Sequence, residues 1–84
     1  MLGILRWNGR ASVTFHQIIR KASLPLELGV NPSRWLIVRP KLNTWIYSGG
    51  CLGIQSPVSQ GARERIVAKI IKRLNKEGAA YEII

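Results

Sequence analysis

The stretch RWLIVRP (34–40), LNTWIY (42–47), SGG (48–50) and CLGIQS (51–56) decides the fold. Read in twos, it puts Leu36, Val38, Ile46, Leu52 and Ile54 on one side. Trp35, Ile37, Arg39, Trp45, Tyr47, Gly53 and Gln55 fall on the other. A period of two belongs to β-strands, whose successive side chains point to opposite faces. Pro40 cannot donate to a strand ladder and stops the first segment. Ser48, Gly49 and Gly50 read as a hairpin turn between the second and third. Three consecutive strands follow, with the aliphatic side expected inward.

Working outward, residues 4–15 also alternate, with Ile4, Arg6, Asn8, Arg10, Ser12 and Thr14 against Leu5, Trp7, Gly9, Ala11, Val13 and Phe15. This predicts one half-buried strand. From His16 to Ser23 the period changes, and Ile18, Ile19 and Ala22 predict a short helix ended by Pro25. LELGVNPS (26–33) reads as a connection, with Gly29 and Asn31-Pro32 as turn signals. Between Ser59 and Glu77 a stripe of Ile66, Val67, Ile70, Ile71 and Leu74 predicts an amphipathic helix. Ser59 is its N-cap and Gly78 its stop. AAYEII (79–84) closes as a short strand. The expected fold is a single α+β domain over residues 1–84, a two-layer α/β arrangement in which both helices cover one face of a curved antiparallel sheet.

Composition narrows the chemistry. The 84 residues carry 13 Lys+Arg against 4 Asp+Glu, a formal charge of +9, with one Cys and one His. One cysteine makes no internal disulfide, and one cysteine with one histidine builds no protein-only zinc site. The apolar fraction of 46% is too high for a disordered basic tail. No apolar run reaches the roughly 18 residues of a membrane span, and the start, MLGILRWNGR, lacks the pattern of a secretory leader. An intracellular location, with no membrane partner and no cofactor, is therefore expected. The charge points to a polyanionic partner.

Helices on one face leave the other face of the sheet open. By alternation that open face carries Asn8, Arg10, Trp35, Arg39, Trp45, Tyr47 and Gln55. Aromatic surface interleaved with Arg, Asn and Gln suits nucleic acid, by stacking on unpaired bases or by wedging into a duplex step. The outer face of the long helix adds Arg63, Arg65, Lys69, Lys72, Arg73 and Lys76.

The order of NPSRW (31–35), RPKLNTWIYSGG (39–50), CLGIQS (51–56) and VAKIIKRLNKEG (67–78), preceded by NGRASV (8–13), resembles one repeat of the TATA-box-binding protein family. The resemblance implies a half-saddle whose concave sheet grips the minor groove of A/T-rich duplex DNA and bends it. Trp35 and Tyr47 match the wedging aromatics, and Asn8 matches the Asn that contacts minor-groove acceptors. Arg10, Trp45, Gly53 and Gln55 occupy contact positions with residues the family does not use there. The stretch from Trp35 to Pro40 is shorter than the family's. Because the family protein is an internal duplication, a single repeat implies a homodimer with twofold symmetry, with Leu5 and Trp7 near the seam. Arg63, Arg65, Lys69, Lys72 and Arg73 become candidates for DNA-backbone or protein-partner contacts on the convex side.

Two other readings use the same residues. One is a basic RNA-binding subunit of a ribosome-like assembly, with Trp35, Trp45 and Tyr47 stacked on unpaired bases. The other is a protein-interaction module. An enzyme is not expected: Glu27, Glu64, Glu77 and Glu82 are scattered, and no Ser/His/Asp order, phosphate loop or metal spacing appears.

Overall fold

A computed structural model describes residues 3–8, 11–47 and 54–84. The expected contacts Arg10 and Gly53, and the turn at residues 48–50, lie outside the described residues. Within them the chain is an α+β fold of two sheets and one α-helix. Its strands are β1 (Ile4–Asn8), β2 (Ser12–His16), β3 (Arg20–Pro25), β4 (Glu27–Gly29), β5 (Arg34–Ile37), β6 (Thr44–Tyr47), β7 (Gln55–Pro57) and β8 (Tyr81–Ile83). A 3₁₀ turn, Arg39–Lys41, precedes β6, and the helix α1 spans Gln60–Lys76. The larger sheet runs β1-β2-β3-β6-β7, antiparallel throughout. The smaller runs β4-β5-β8, with β5 and β8 parallel.

The first expected strand is a hairpin. Asn8 faces Ser12, Trp7 faces Val13 and Leu5 faces Phe15. Each of these pairs joins two residues of equal parity, so the alternation passes through the reversal without a break. Ala11, at φ 48°, takes the left-handed conformation in the turn. The segment expected as a short helix, His16 to Ser23, instead ends β2, turns and enters β3. Ile18 and Ile19, which suggested a helical stripe, occupy the turn. The main chain closes there with the Gln17 N–H donating to the Arg20 carbonyl at 2.8 Å. The described residues thus hold one α-helix where two were expected, and 26–33 contains a strand, β4, as well as turns.

α1 forms where its stripe predicts. Ser59 Oγ accepts from the Ala62 N–H at 3.2 Å. At the other end Gly78 adopts φ 68°, its N–H donates to the Asn75 carbonyl at 3.1 Å, and Ala79 N–H reaches the Leu74 carbonyl at 2.9 Å. This double bond pattern satisfies carbonyls that a helix end leaves orphaned, and it needs a residue free to take positive φ. Arg73 and Lys76 in the last turn oppose the negative end of the helix dipole.

Ala62, Ile66, Val67, Ile70 and Leu74 of α1 join Val13, Phe15, Ala22, Leu24 and Trp45 of the larger sheet in one buried cluster, completed by Leu26, Ile37, Leu42 and Val58. Here the side taken by the aromatics differs from expectation. Trp45 is 2% exposed and Ile37 fully buried, while Ile46 is 45% exposed. Alternation groups the residues correctly but does not say which group is covered, and a swap of side costs nothing in local geometry. With apolar residues on both sides, the face holding the larger rings is the one that closes onto α1.

This orientation sets the stability of variants apart. Trp45→Ala is expected to cost about 3–5 kcal/mol through lost burial and a cavity. Ile46→Ala should cost under about 1 kcal/mol because the side chain is half in water. Urea unfolding midpoints of the two variants measure the difference. Equal losses would contradict the inward placement of Trp45.

Candidate nucleic-acid interface

The described residues expected on one open face divide among four places. Asn8 and Gln55 do lie on the outer face of the larger sheet, at its opposite edge strands β1 and β7. Asn8 Nδ2 donates to Thr14 Oγ1 at 2.5 Å and to Ser12 Oγ at 3.1 Å, and Thr14 Oγ1 continues to Ser23 Oγ at 2.9 Å. This polar ladder across β1, β2 and β3 explains how Thr14 is buried on a water-facing side, since each hydroxyl has a partner. Gln55 is exposed beside Ile46.

Trp45 and Tyr47 turn inward instead. Trp45 sits 6.3 Å from the Phe15 ring, tilted by 58°, and the Arg20 guanidinium lies over the indole at 4.0 Å. A cation held above an indole is attracted by the ring's negative face. Trp35 belongs to the smaller sheet, where it is half-buried and packs 6.2 Å from Trp7. Trp35 and Tyr47 are therefore on different sheets and do not form a pair of wedges. Leu5 and Trp7, each partly buried, also pack against the core. Arg39, exposed at the 3₁₀ turn, donates through Nε to the Ile84 main-chain oxygen at 3.2 Å.

The structure gathers the positive charge elsewhere. Three of the glutamates are paired locally: Glu27 with Lys41, Glu82 with Arg34 at 2.8 Å, and Glu77 with Arg73 at 2.9 Å. Glu64 accepts from the Gln60 amide at 3.3 Å. Arg65, Lys69, Lys72 and Lys76, spaced by four, three and four residues, form one flank of α1 and have no ion pair among the described residues. Arg63 belongs to the opposite flank, where Nε donates to the Leu42 carbonyl at 3.0 Å. Lys69, Lys72, Arg73 and Lys76 line a groove of about 260 Å³ whose other wall is Gly3 and Leu5 at β1. β1 is an edge of the larger sheet. These four cations thus stand along an edge strand, a placement that opposes edge-to-edge pairing with another chain.

Gly3 is a point of close approach. A Cβ there would fall 2.3 Å from Phe15 Cζ and 2.8 Å from the His16 main-chain oxygen. The basic groove, the start of β1 and the end of β2 are therefore contiguous. The groove was not foreseen from sequence because β1's position relative to α1 is a tertiary fact; the three- and four-residue spacing of the lysines was the available signal.

No protein-family model, curated protein or solved structure matches this chain. No helix among the described residues is long and apolar enough to cross a membrane. The described residues contain no cluster of three or more His, Cys, Asp or Glu side chains suited to a metal ion.

Among the described residues, Tyr47 is the one group whose acidity the fold visibly moves. Its hydroxyl lies 3.0 Å from Ser56 Oγ and 3.4 Å from Arg20 Nη1. The hydrogen bond with Ser56, then that from Arg20, stabilise the phenolate and lower its pKa below 10.0. A lowered pKa means that the folded state favours the ionised phenol, so the shift adds stability only where the phenol ionises. The gain is fully present only above the unfolded pKa and is lost as pH falls through the folded one. Ser56→Ala should move Tyr47 ionisation back up, read as the alkaline tyrosinate absorbance against a Tyr81→Phe background. An unmoved titration would mean the Ser56 contact does not form.

Proposed function

We propose that this chain is a DNA-binding domain that holds duplex DNA through its phosphate backbone, with the basic flank of α1 laid along one strand. The observation that carries this reading is the row Arg65, Lys69, Lys72 and Lys76, unpaired with any acid among the described residues and open beside β1. At 1.5 Å per residue the row extends over roughly 16 Å, enough to follow several successive phosphates. Each phosphate neutralised releases condensed counterions, which makes such a row a source of affinity without sequence choice.

The finer version, a TATA-binding-like half-saddle that reads A/T-rich minor groove, draws support from Asn8 and Gln55 on the outer sheet face, both able to donate to groove acceptors. It draws none from Trp35, Trp45 and Tyr47, whose rings face inward or lie on the second sheet. A homodimer joined along β1 would bring two basic flanks together, so association is expected to follow DNA rather than precede it. RNA and a protein partner on α1 are the competing occupants.

The log of affinity for a short duplex should fall linearly with log salt, by about 0.9 per phosphate contacted. The triple variant Lys69→Gln, Lys72→Gln, Lys76→Gln should flatten that slope by about three. Removing two charges elsewhere, Arg39→Gln with Lys41→Gln, should change it by much less. Fluorescence anisotropy across a salt series measures all three. Equal slopes in both variants would assign the binding to net charge alone. Tighter binding to single-stranded RNA than to duplex DNA would favour the RNA reading, and salt-insensitive capture of a protein with no nucleic-acid binding would reject the proposal.

A further inference from the structure

The β2–β3 hairpin tip exposes apolar surface that no other described residue covers. Ile18 is 98% exposed and Ile19 60%. Ile4, on β1 directly opposite His16, adds a third exposed aliphatic chain at the base of the same hairpin. A turn usually carries polar residues or glycine, so two adjacent isoleucines aimed into water call for a partner.

The tip is also held in place. Arg20 Nε donates to Gln17 Oε1 at 2.6 Å across the turn, and the same guanidinium is anchored over the buried Trp45 ring at 4.0 Å. The two isoleucines therefore sit between flanking residues that Arg20 ties to the core. Their exposure is built into the turn, and little ordering remains to be done on binding.

The surroundings identify the partner's chemistry. Gly3 lines the basic groove and touches the end of β2, so the tip stands at the same end of the molecule as Lys69, Lys72 and Lys76. Lys21, at the base of the tip on the outer face of the sheet with Ile46 and Gln55, is exposed and has no ion pair among the described residues. An apolar point at the same end of the molecule as a row of cations fits a duplex, which offers phosphates at its rim and flat apolar base pairs within. One or two aliphatic side chains are what a base step accepts. A membrane surface would need an extended apolar face beside the cations, and the apolar stripe of α1 is spent on the core.

We infer that the β2–β3 tip is a DNA wedge: with α1 holding the phosphate backbone, Ile18 and Ile19 enter a base step, part the two base pairs and kink the duplex. This rests on the backbone-binding reading above. Pyrimidine–purine steps, which unstack most easily, would be the preferred entry points.

The test is energy transfer between dyes at the two ends of a duplex carrying one central TA step, measured at protein saturation. The unaltered chain should bring the ends closer. Ile18→Ser with Ile19→Ser, both at solvent-exposed positions, should abolish the approach, while affinity at low salt, set by phosphate contacts, changes by less than about tenfold. Lys69→Gln, Lys72→Gln, Lys76→Gln should instead lose binding and still bend the duplex once saturated. Binding without bending, or bending unchanged in the isoleucine variant, would overturn the wedge and leave backbone binding standing. No salt-sensitive duplex binding at all would overturn both. Isoleucine-dependent binding to vesicles of anionic phospholipid, with DNA bending unaffected, would reassign the tip to a lipid surface and overturn the wedge.

Discussion

Trp45 fixes the larger sheet. Phe15 supports its ring from β2, and Arg20 caps it from the start of β3. Burial of this one residue sets the parity of β6, and with it the inward turn of Tyr47 and the outward turn of Ile46 and Gln55. It also fixes Arg20, which in turn ties down the hairpin tip through Gln17. An indole offers more apolar area than any other side chain here, so the fold that covers it outweighs one that covers an isoleucine. A single choice of side therefore runs from the centre of the core to the most exposed point of the surface.

The electrostatics follow a division of labour. The few acids are placed beside particular cations: Glu27 with Lys41, Glu82 with Arg34, and Glu77 with Arg73. Exposed pairs of this kind contribute little to stability, roughly 0–1 kcal/mol each. Their larger effect is on the pattern of the field. They pair Lys41, Arg34 and Arg73, and among the described cations left without an acidic partner Arg65, Lys69, Lys72 and Lys76 form a row on one flank of α1. A charge of +9 spread evenly would mark a generally cationic surface, whereas this distribution gives it a direction.

Legibility in the sequence varied with the range of the interaction. α1 was fully readable, with its Ser59 cap, Gly78 stop and buried stripe, because helix signals are local. Strands β5 and β6 were readable from alternation and from Pro40, and β8 lies within the short closing strand expected at 79–84. The first hairpin was not, because residue pairs of equal parity carry an alternating pattern straight through the turn. The segment 16–23 misled for a different reason: Ile18 and Ile19 mimic a helical stripe although they face water. Of the expected contact residues, Asn8 and Gln55 stand on the open face, while Trp35, Trp45 and Tyr47 do not. Alternation carried no information about which face α1 would cover.

The sequence by itself determined the class of fold, the position and ends of the long helix, the grouping of side chains by parity and the excess of positive charge. These are set by neighbours within a few residues, or by counting. Only the tertiary structure decided which parity faces the core, that β1 lies along the cationic flank of α1, and that two isoleucines end up at a braced, exposed tip. Each of these depends on contacts between segments far apart in the chain. There the burial of the largest rings outweighs local preference, and short-range pattern is silent about the result.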